Sequence, residues 1–128
     1  MKLALVGYGK MGKAIHEILK DRGHEVPLII DLNNTQDLTA DNLRQIDVVI
    51  EFTSPHTAYN NVKFCLEQGT PVVCGSTGWL EHLDEMKQLA QQRHTGLIVA
   101  SNFSVGVNIF FEINKRLAEL MNQHKEYE

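Results

Sequence analysis

The chain is 128 residues long, enough for one domain around a single sizeable core. A net charge of −4 excludes a general nucleic-acid binder, which would need a basic face, and no apolar run approaches the roughly 20 residues that span a bilayer. Two widely spaced cysteines exclude a disulfide framework and six scattered histidines give no metal-ligand spacing, so the chain reads as reduced, metal-free and cytoplasmic.

Short apolar runs alternate with stretches of helical period. Leu3-Ala4-Leu5-Val6 is apolar throughout, the pattern of a parallel strand buried on both faces, and too short a run before Gly7 for a signal peptide. Met11, Ala14, Ile15, Ile18 and Leu19 recur at three and four residues and predict a helix to Arg22, ended by Gly23. Val26 to Ile30 is the next strand, with Asp31 at its carboxyl end. Leu32 to Ile46 is polar and offers no convincing strand, so the edge strand that a six-stranded version of this architecture puts there is very short or missing. Val48 to Ile50 leads into Glu51-Phe52 as a third clear strand. Ser54-Pro55 then supplies an N-cap and a first-turn proline for a helix to about Glu67, closed by Gly69. Val72-Val73 and Leu97 to Val99 are two further strands. Between them Leu80 to Arg93 is helical, acids first and bases last, as the helix dipole favours. A last helix runs from Val105 toward His124, with Ile109, Ile113, Leu117, Leu120 and Met121 on one stripe. This alternation predicts an α/β fold, a Rossmann-type doubly wound parallel sheet, with residues 1–128 as a single dinucleotide-binding domain.

The function reading starts at Gly7-Tyr8-Gly9-Lys10-Met11-Gly12, a G-x-G-x-x-G run that follows a buried strand and opens an amphipathic helix. In that setting Gly7 makes the tight turn, Gly9 lets a pyrophosphate approach the backbone, and Gly12 lets the helix pack close to the sheet. The helix start adds free N–H groups and partial positive charge, and Lys10 and Lys13 add full charges. Asp31, nineteen residues after Gly12, ends the next strand where a carboxylate binds the adenosine ribose. It would repel a 2′-phosphate, and Leu32-Asn33-Asn34 offers no arginine to clamp one, so NADH is expected over NADPH.

Three more loops lie at the carboxyl ends of strands: Phe52-Thr53-Ser54-Pro55, Cys74 to Trp79, and Ala100 to Gly106. Each has a plain structural alternative. Ser54 can be only an N-cap, Gly78 only a turn, Trp79 core, and Phe103 either core or a wall for nicotinamide. Cys74 reads as a small buried residue and the histidines as solvated, because no nucleophile–base spacing joins them.

Taken together, Gly7 to Gly12, Glu51-Phe52-Thr53-Ser54-Pro55, Gly75-Ser76-Thr77-Gly78-Trp79 and Ser101-Asn102-Phe103-Ser104-Val105-Gly106-Val107-Asn108 resemble the 4-hydroxy-tetrahydrodipicolinate (dihydrodipicolinate) reductase family. The last run is the most specific. The resemblance implies reduction of a small dicarboxylate cyclic imine, a precursor of diaminopimelate and lysine, by NADH or NADPH. It assigns Gly7, Tyr8, Gly9, Lys10, Met11 and Gly12 to the pyrophosphate and Asp31 to the ribose. It puts Gly75, Ser76, Thr77, Ala100, Ser101, Asn102 and Phe103 around the nicotinamide, with Thr77 also near substrate, and counts Phe52 and Thr53 among the cofactor-binding residues. Lys10 stands where the family commonly has arginine, the loop is one residue shorter than in some members, and Leu32 replaces a basic residue found in NADPH-tolerant ones.

The family's catalytic His-His pair, its lysine and its Asp-Ala-Pro-Ser-Gly-Thr run do not occur in this sequence. The resemblance therefore implies no catalytic residue in this chain, an absent C-terminal substrate domain, and a longer homotetrameric enzyme of which this is the N-terminal part. The N-terminal half of another two-domain dehydrogenase, or a non-catalytic NADH-sensing module, is the alternative.

Overall fold

The computed structural model describes residues 1–124; the last four residues of the expected 1–128 domain lie outside the described residues. Leu3 to Val6 are all buried, as an uninterrupted apolar run requires of a strand covered on both faces. That strand, β1 (Lys2–Val6), pairs in parallel with β2 (Glu25–Ile30) on one side and β3 (Val48–Glu51) on the other. β4 (Val72–Cys74) and β5 (Leu97–Val99) complete one parallel sheet in the order β2-β1-β3-β4-β5. The chain moves outward to β2 and then returns past β1 to β3. That reversal opens a crevice at the carboxyl ends of β1 and β3, the place where such sheets take ligands.

Side chains along each strand alternate between two cores. Ala4, Val6 and Val49 face α3 (Pro55–Glu67) and α4 (Leu83–Gln92), packing with Ala58, Val62, Cys65, Leu66, Met86 and Ala90. Leu3, Leu5, Val48 and Ile50 face α1 (Lys10–Asp21), where Leu19 and Ile15 meet them. β2 lies at the sheet edge, which explains how it tolerates Pro27, a residue with no N–H for a ladder. The register slips by one residue at that point, between the pairs Lys2–Glu25 and Ala4–Leu28.

Between Leu32 and Ile46 there is no strand among the described residues. The polar side chains that made the segment ambiguous turn it into local structure instead. Asn34 Oδ1 accepts from Asp31 N at 2.7 Å, and a 3₁₀ turn follows at Thr35–Asp37. Thr39 then caps α2 (Ala40–Leu43), its Oγ1 accepting from Asn42 N at 3.2 Å, and Leu43 and Ile46 anchor the segment in the core. The expected helix from Leu80 begins as a second 3₁₀ turn, Leu80–His82, before α4.

The last helix, α5 (Val105–Met121), is capped by Ser104, yet none of its residues is buried among the described residues. Ile109, Ile113, Leu117, Leu120 and Met121, expected to form one stripe, are exposed, and so are Phe110 and Phe111. The helix leaves the sheet instead of lying on it. The sheet face beside α1, over β3 to β5, is correspondingly open: Ile98 is 58% exposed.

Candidate functional site

Gly7 follows β1 with φ of +98°, a conformation that L side chains rarely adopt. Its amide donates to Ile30 O at 2.9 Å, which ties the turn to β2. A Cβ on Gly7 would stand 2.0 Å from the carbonyl oxygen of Phe52, and one on Gly12 2.2 Å from the carbonyl oxygen of Gly7. Gly12 is thus demanded by the loop's own backbone, where the sequence pointed to packing of helix on sheet. Gly9 differs from both. A Cβ there would meet nothing within 4 Å. Gly9 also stands at the N-cap of α1 with no side chain to occupy the first-turn N–H groups, which have no partners inside the helix.

A groove of about 330 Å³ opens at this point, lined by Gly9 to Gly12, Phe52 to Pro55 and Gly75 to Thr77. A cradle of bare backbone at a helix start, with Lys10 beside it, suits a diphosphate. Lys13, expected to add charge there, instead stands over the ring of Tyr8 at 5.9 Å. The Tyr8 side chain is engaged as well: its hydroxyl is 2.6 Å from His16 Nδ1, and its ring packs with the Ile15 core. His16 is accordingly half-buried and partnered, where the sequence reading made it solvated.

The loops after β3 and β4 interlock through Phe52. A Cβ on Gly75 would fall 2.1 Å from the Phe52 ring, so Gly75 is small because that ring lies against it. Thr53 N donates to Ser76 Oγ at 2.8 Å, and Trp79 Nε1 donates to Ser76 O at 2.9 Å. Trp79 is core, 1% exposed, and supports the loop from below. Gly78 makes the turn at φ +80°. Ser54 sits at the N-cap position of α3, but its side chain bonds Thr57 Oγ1 at 2.9 Å and leaves the helix N–H groups uncapped.

Beneath these loops lies a feature the sequence reading passed over. Glu51 ends β3 fully buried. Its carboxyl group accepts from the Thr53 hydroxyl and, at 2.9 Å, from the Cys74 thiol. Burial first, and then the Glu51 carboxyl, push the Cys74 thiol far above its ordinary range, so it stays protonated and donates. Cys65 is likewise pushed up to about 12 by burial. The available signal was one acid at the end of an otherwise apolar strand.

A second, mostly apolar concavity of about 500 Å³ adjoins the first, sharing Met11, Phe52 and Gly75 and reaching Ser101 to Ser104. Phe103 is 45% exposed, its ring centroid 6.3 Å from that of Phe52. The loop is shaped by Asn102, whose Oδ1 accepts from Ser104 N at 2.8 Å and whose carbonyl accepts from Asn108 Nδ2 at 2.9 Å. Ala100 N donates to Cys74 O, continuing the sheet beside them. Asp31 lies outside both linings, exposed at the end of β2, with Oδ1 accepting from Leu32 N at 2.8 Å. Lys10 is the only titratable side chain lining either concavity among the described residues. No group of three or more metal-ligating side chains occurs among them, and no helix there is long and apolar enough to cross a membrane.

Residues 1–103 match the family model described as dihydrodipicolinate reductase, N-terminus. A 4-hydroxy-tetrahydrodipicolinate reductase from Christiangramia forsetii is 40% identical over 129 residues, covering 99% of this chain and 52% of that protein. The chain thus spans about half the length of this curated relative. The dipicolinate-bound dihydrodipicolinate reductase from Paenisporosarcina sp. TG-14 superposes with a TM-score of 0.75 at 26% identity, over 92% of this chain and 53% of that one. A homoserine dehydrogenase from Thiobacillus denitrificans shares the fold alone, with a TM-score of 0.61 at 17% identity over 77% of this chain and 29% of its own. With its glycine loop, its interlocked strand-end loops and these matches in agreement, the chain belongs to the dihydrodipicolinate reductase family, matching its N-terminal, dinucleotide-binding part.

Proposed function

We propose that this chain is the cofactor-binding part of an enzyme that reduces 4-hydroxy-tetrahydrodipicolinate, a small dicarboxylate cyclic imine of diaminopimelate and lysine biosynthesis, with NADH preferred to NADPH. One observation carries the reading: the groove starts at bare backbone on Gly9 and runs between the loops that mark the family. In this reading Gly9 to Gly12 and the start of α1 hold the diphosphate, while Gly7 and Tyr8 shape the turn. Asp31 binds the adenosine ribose, and Leu32, 88% exposed beside it, offers nothing to a 2′-phosphate. Phe52, Thr53, Gly75, Ser76 and Thr77 surround the nicotinamide end with Ala100, Ser101, Asn102 and Phe103, and Thr77 also meets substrate.

The bound dinucleotide supplies a hydride to an electrophilic ring carbon. The chain's own part is to hold and orient: backbone N–H groups and Lys10 fix the diphosphate, and the Phe52 and Phe103 rings keep water from the reacting face. Protonation needs another group in this reading, because the one titratable side chain lining the concavities among the described residues, Lys10, is taken up by the diphosphate. We therefore assign proton donation to residues outside this chain, which by itself binds dinucleotide without turnover. Homotetrameric assembly of the longer enzyme belongs to the same proposal. So does a cytoplasmic location, which the two free thiols favour.

Titration with NADH, followed by energy transfer from Trp79 and by calorimetry, tests this. NADH is expected to bind more tightly than NADPH, and Asp31→Ala to weaken NADH about tenfold, the loss of one hydrogen bond to a charged group. Tighter NADPH binding would remove the stated preference. No association with either would sink the proposal, and consumption of the cyclic imine by the isolated chain would overturn the assignment of protonation elsewhere.

A further inference from the structure

Burying a carboxyl group in a sheet is costly unless its oxygens are occupied, so Glu51 is informative through what occupies them. One oxygen accepts from the Thr53 hydroxyl in the loop after β3. The other accepts from the Cys74 thiol at 2.9 Å, at the end of β4. Thr53 N in turn donates to Ser76 Oγ at 2.8 Å, and Ser76 follows Cys74 by two residues. The four residues close a ring of hydrogen bonds and chain that joins two loops facing the groove. Neither Glu51 nor Cys74 lines the groove. Both act from beneath it.

The ring also sets the direction of the hydroxyls. Thr53 spends its proton on Glu51, so its oxygen is left as an acceptor, and it accepts from Thr57 Oγ1 at 2.8 Å. Ser76 Oγ accepts from Thr53 N, which leaves its own proton for an acceptor in the groove that it lines. A carbonyl oxygen such as the nicotinamide carboxamide meets that requirement. An amide nitrogen does not.

From this we propose that Glu51 is a positioning residue for the nicotinamide end of the site, tying the Thr53 and Ser76 loops together and turning the Ser76 hydroxyl outward as a donor. The inference rests on the dinucleotide reading and deepens it. Glu51 touches no ligand, and the adenosine half, bound by Gly9 to Gly12 and Asp31, lies outside its reach.

The test compares NADH with ADP-ribose, which has the adenosine and diphosphate but no nicotinamide. Glu51→Leu is expected to weaken NADH about tenfold, on the scale of one or two lost hydrogen bonds, and to leave ADP-ribose within about twofold. Glu51→Gln keeps an oxygen for the Thr53 hydroxyl and should restore NADH to within about threefold of the parent. Thr53 amide exchange, slow while bonded to Ser76, should quicken in the leucine variant and recover in the glutamine one. Should Glu51→Leu fail to fold, Cys74→Ala removes the other bond to Glu51 from a residue that lines neither concavity, and the same selective loss is expected. Equal losses for NADH and ADP-ribose, or no loss for NADH, would overturn the positioning role. If the parent chain binds neither compound, the dinucleotide reading itself fails, and this inference with it.

Discussion

The two sides of the groove are built on different principles. On the β1 side, the loop from Gly7 to Gly12 is shaped by backbone meeting backbone: Gly7 lies against the Phe52 carbonyl, and Gly12 against the carbonyl of Gly7. On the β3–β4 side, side chains do the shaping, with Glu51, Thr53, Cys74 and Ser76 closed into a ring and the Phe52 ring seated on Gly75. A backbone constraint can be met by one residue type, so it leaves a mark in the sequence. A side-chain network can be met by many combinations, so its residues do not announce their partners. The purpose of the first side can therefore be read from its glycine spacing, whereas on the second the motif residues are in view and the bonds among them appear only when the strands are brought together.

The largest effect that separates the two principles is expected at Gly7. Gly7→Ala puts a Cβ 2.0 Å from a carbonyl oxygen at a φ of +98°, and neither atom belongs to a flexible side chain. The cost is about 3 kcal/mol, combining overpacking with a left-handed residue, and urea unfolding should show it without ligand. A Gly7→Ala protein as stable as the parent would mean that the turn is not held by the Phe52 backbone.

Gly9→Ala should do the reverse. Its Cβ would meet nothing within 4 Å, and the residue already has an ordinary extended backbone, φ −77°. Stability should stay within about 0.5 kcal/mol, while NADH binding weakens about tenfold or more, because the added methyl stands where a phosphate would approach. The two neighbouring glycines thus divide folding from binding. Equal effects of both substitutions on folding would erase that division.

How much could be read from residues alone follows the same line. The apolar run Leu3 to Val6 is buried on both faces as its composition demands, and Gly23 and Gly69 close their helices at positive φ as read. The stretch from Leu32 to Ile46 stayed open because its side chains bond its own backbone, through Asn34 and Thr39, and periodicity does not register such bonds. The stripe on α5 was correctly periodic but told nothing of what it faces. In the site, the bare backbone at Gly9 and the place of Lys10 in the groove lining were legible, while the contact of Lys13 with Tyr8 and that of Tyr8 with His16 were not, because nothing in their sequence positions marks them. Glu51 was in view as a motif residue, but its partner Cys74 lies 23 positions away, and only parallel pairing of β3 with β4 makes them neighbours.

The smallest expected effect tests whether glycine is a complete record of backbone demand. α1 and α3 end at Gly23 and Gly69, with φ of +74° and +76°, whereas α4 ends at His94 with φ of +52°. The hydrogen bonds match: His94 N donates to Gln91 O, and Thr95 N to Ala90 O, as Gly69 N does to Leu66 O and Thr70 N to Cys65 O. The same left-handed cap is therefore made twice with the residue that adopts it freely and once with one that tolerates it. His94→Gly should relieve the steric cost, partly offset by the freer unfolded chain, for a net gain of about 0.5 kcal/mol. Gly69→Ala, whose Cβ has open space but the wrong φ, should lose about 1 kcal/mol. Opposite shifts in melting temperature, each of about 1–4 °C, would show that the backbone sets these positions and the sequence only sometimes obeys. A His94→Gly protein that melts lower would instead make the imidazole itself a stabilising contact, and the end of α4 would join the side-chain half of the comparison.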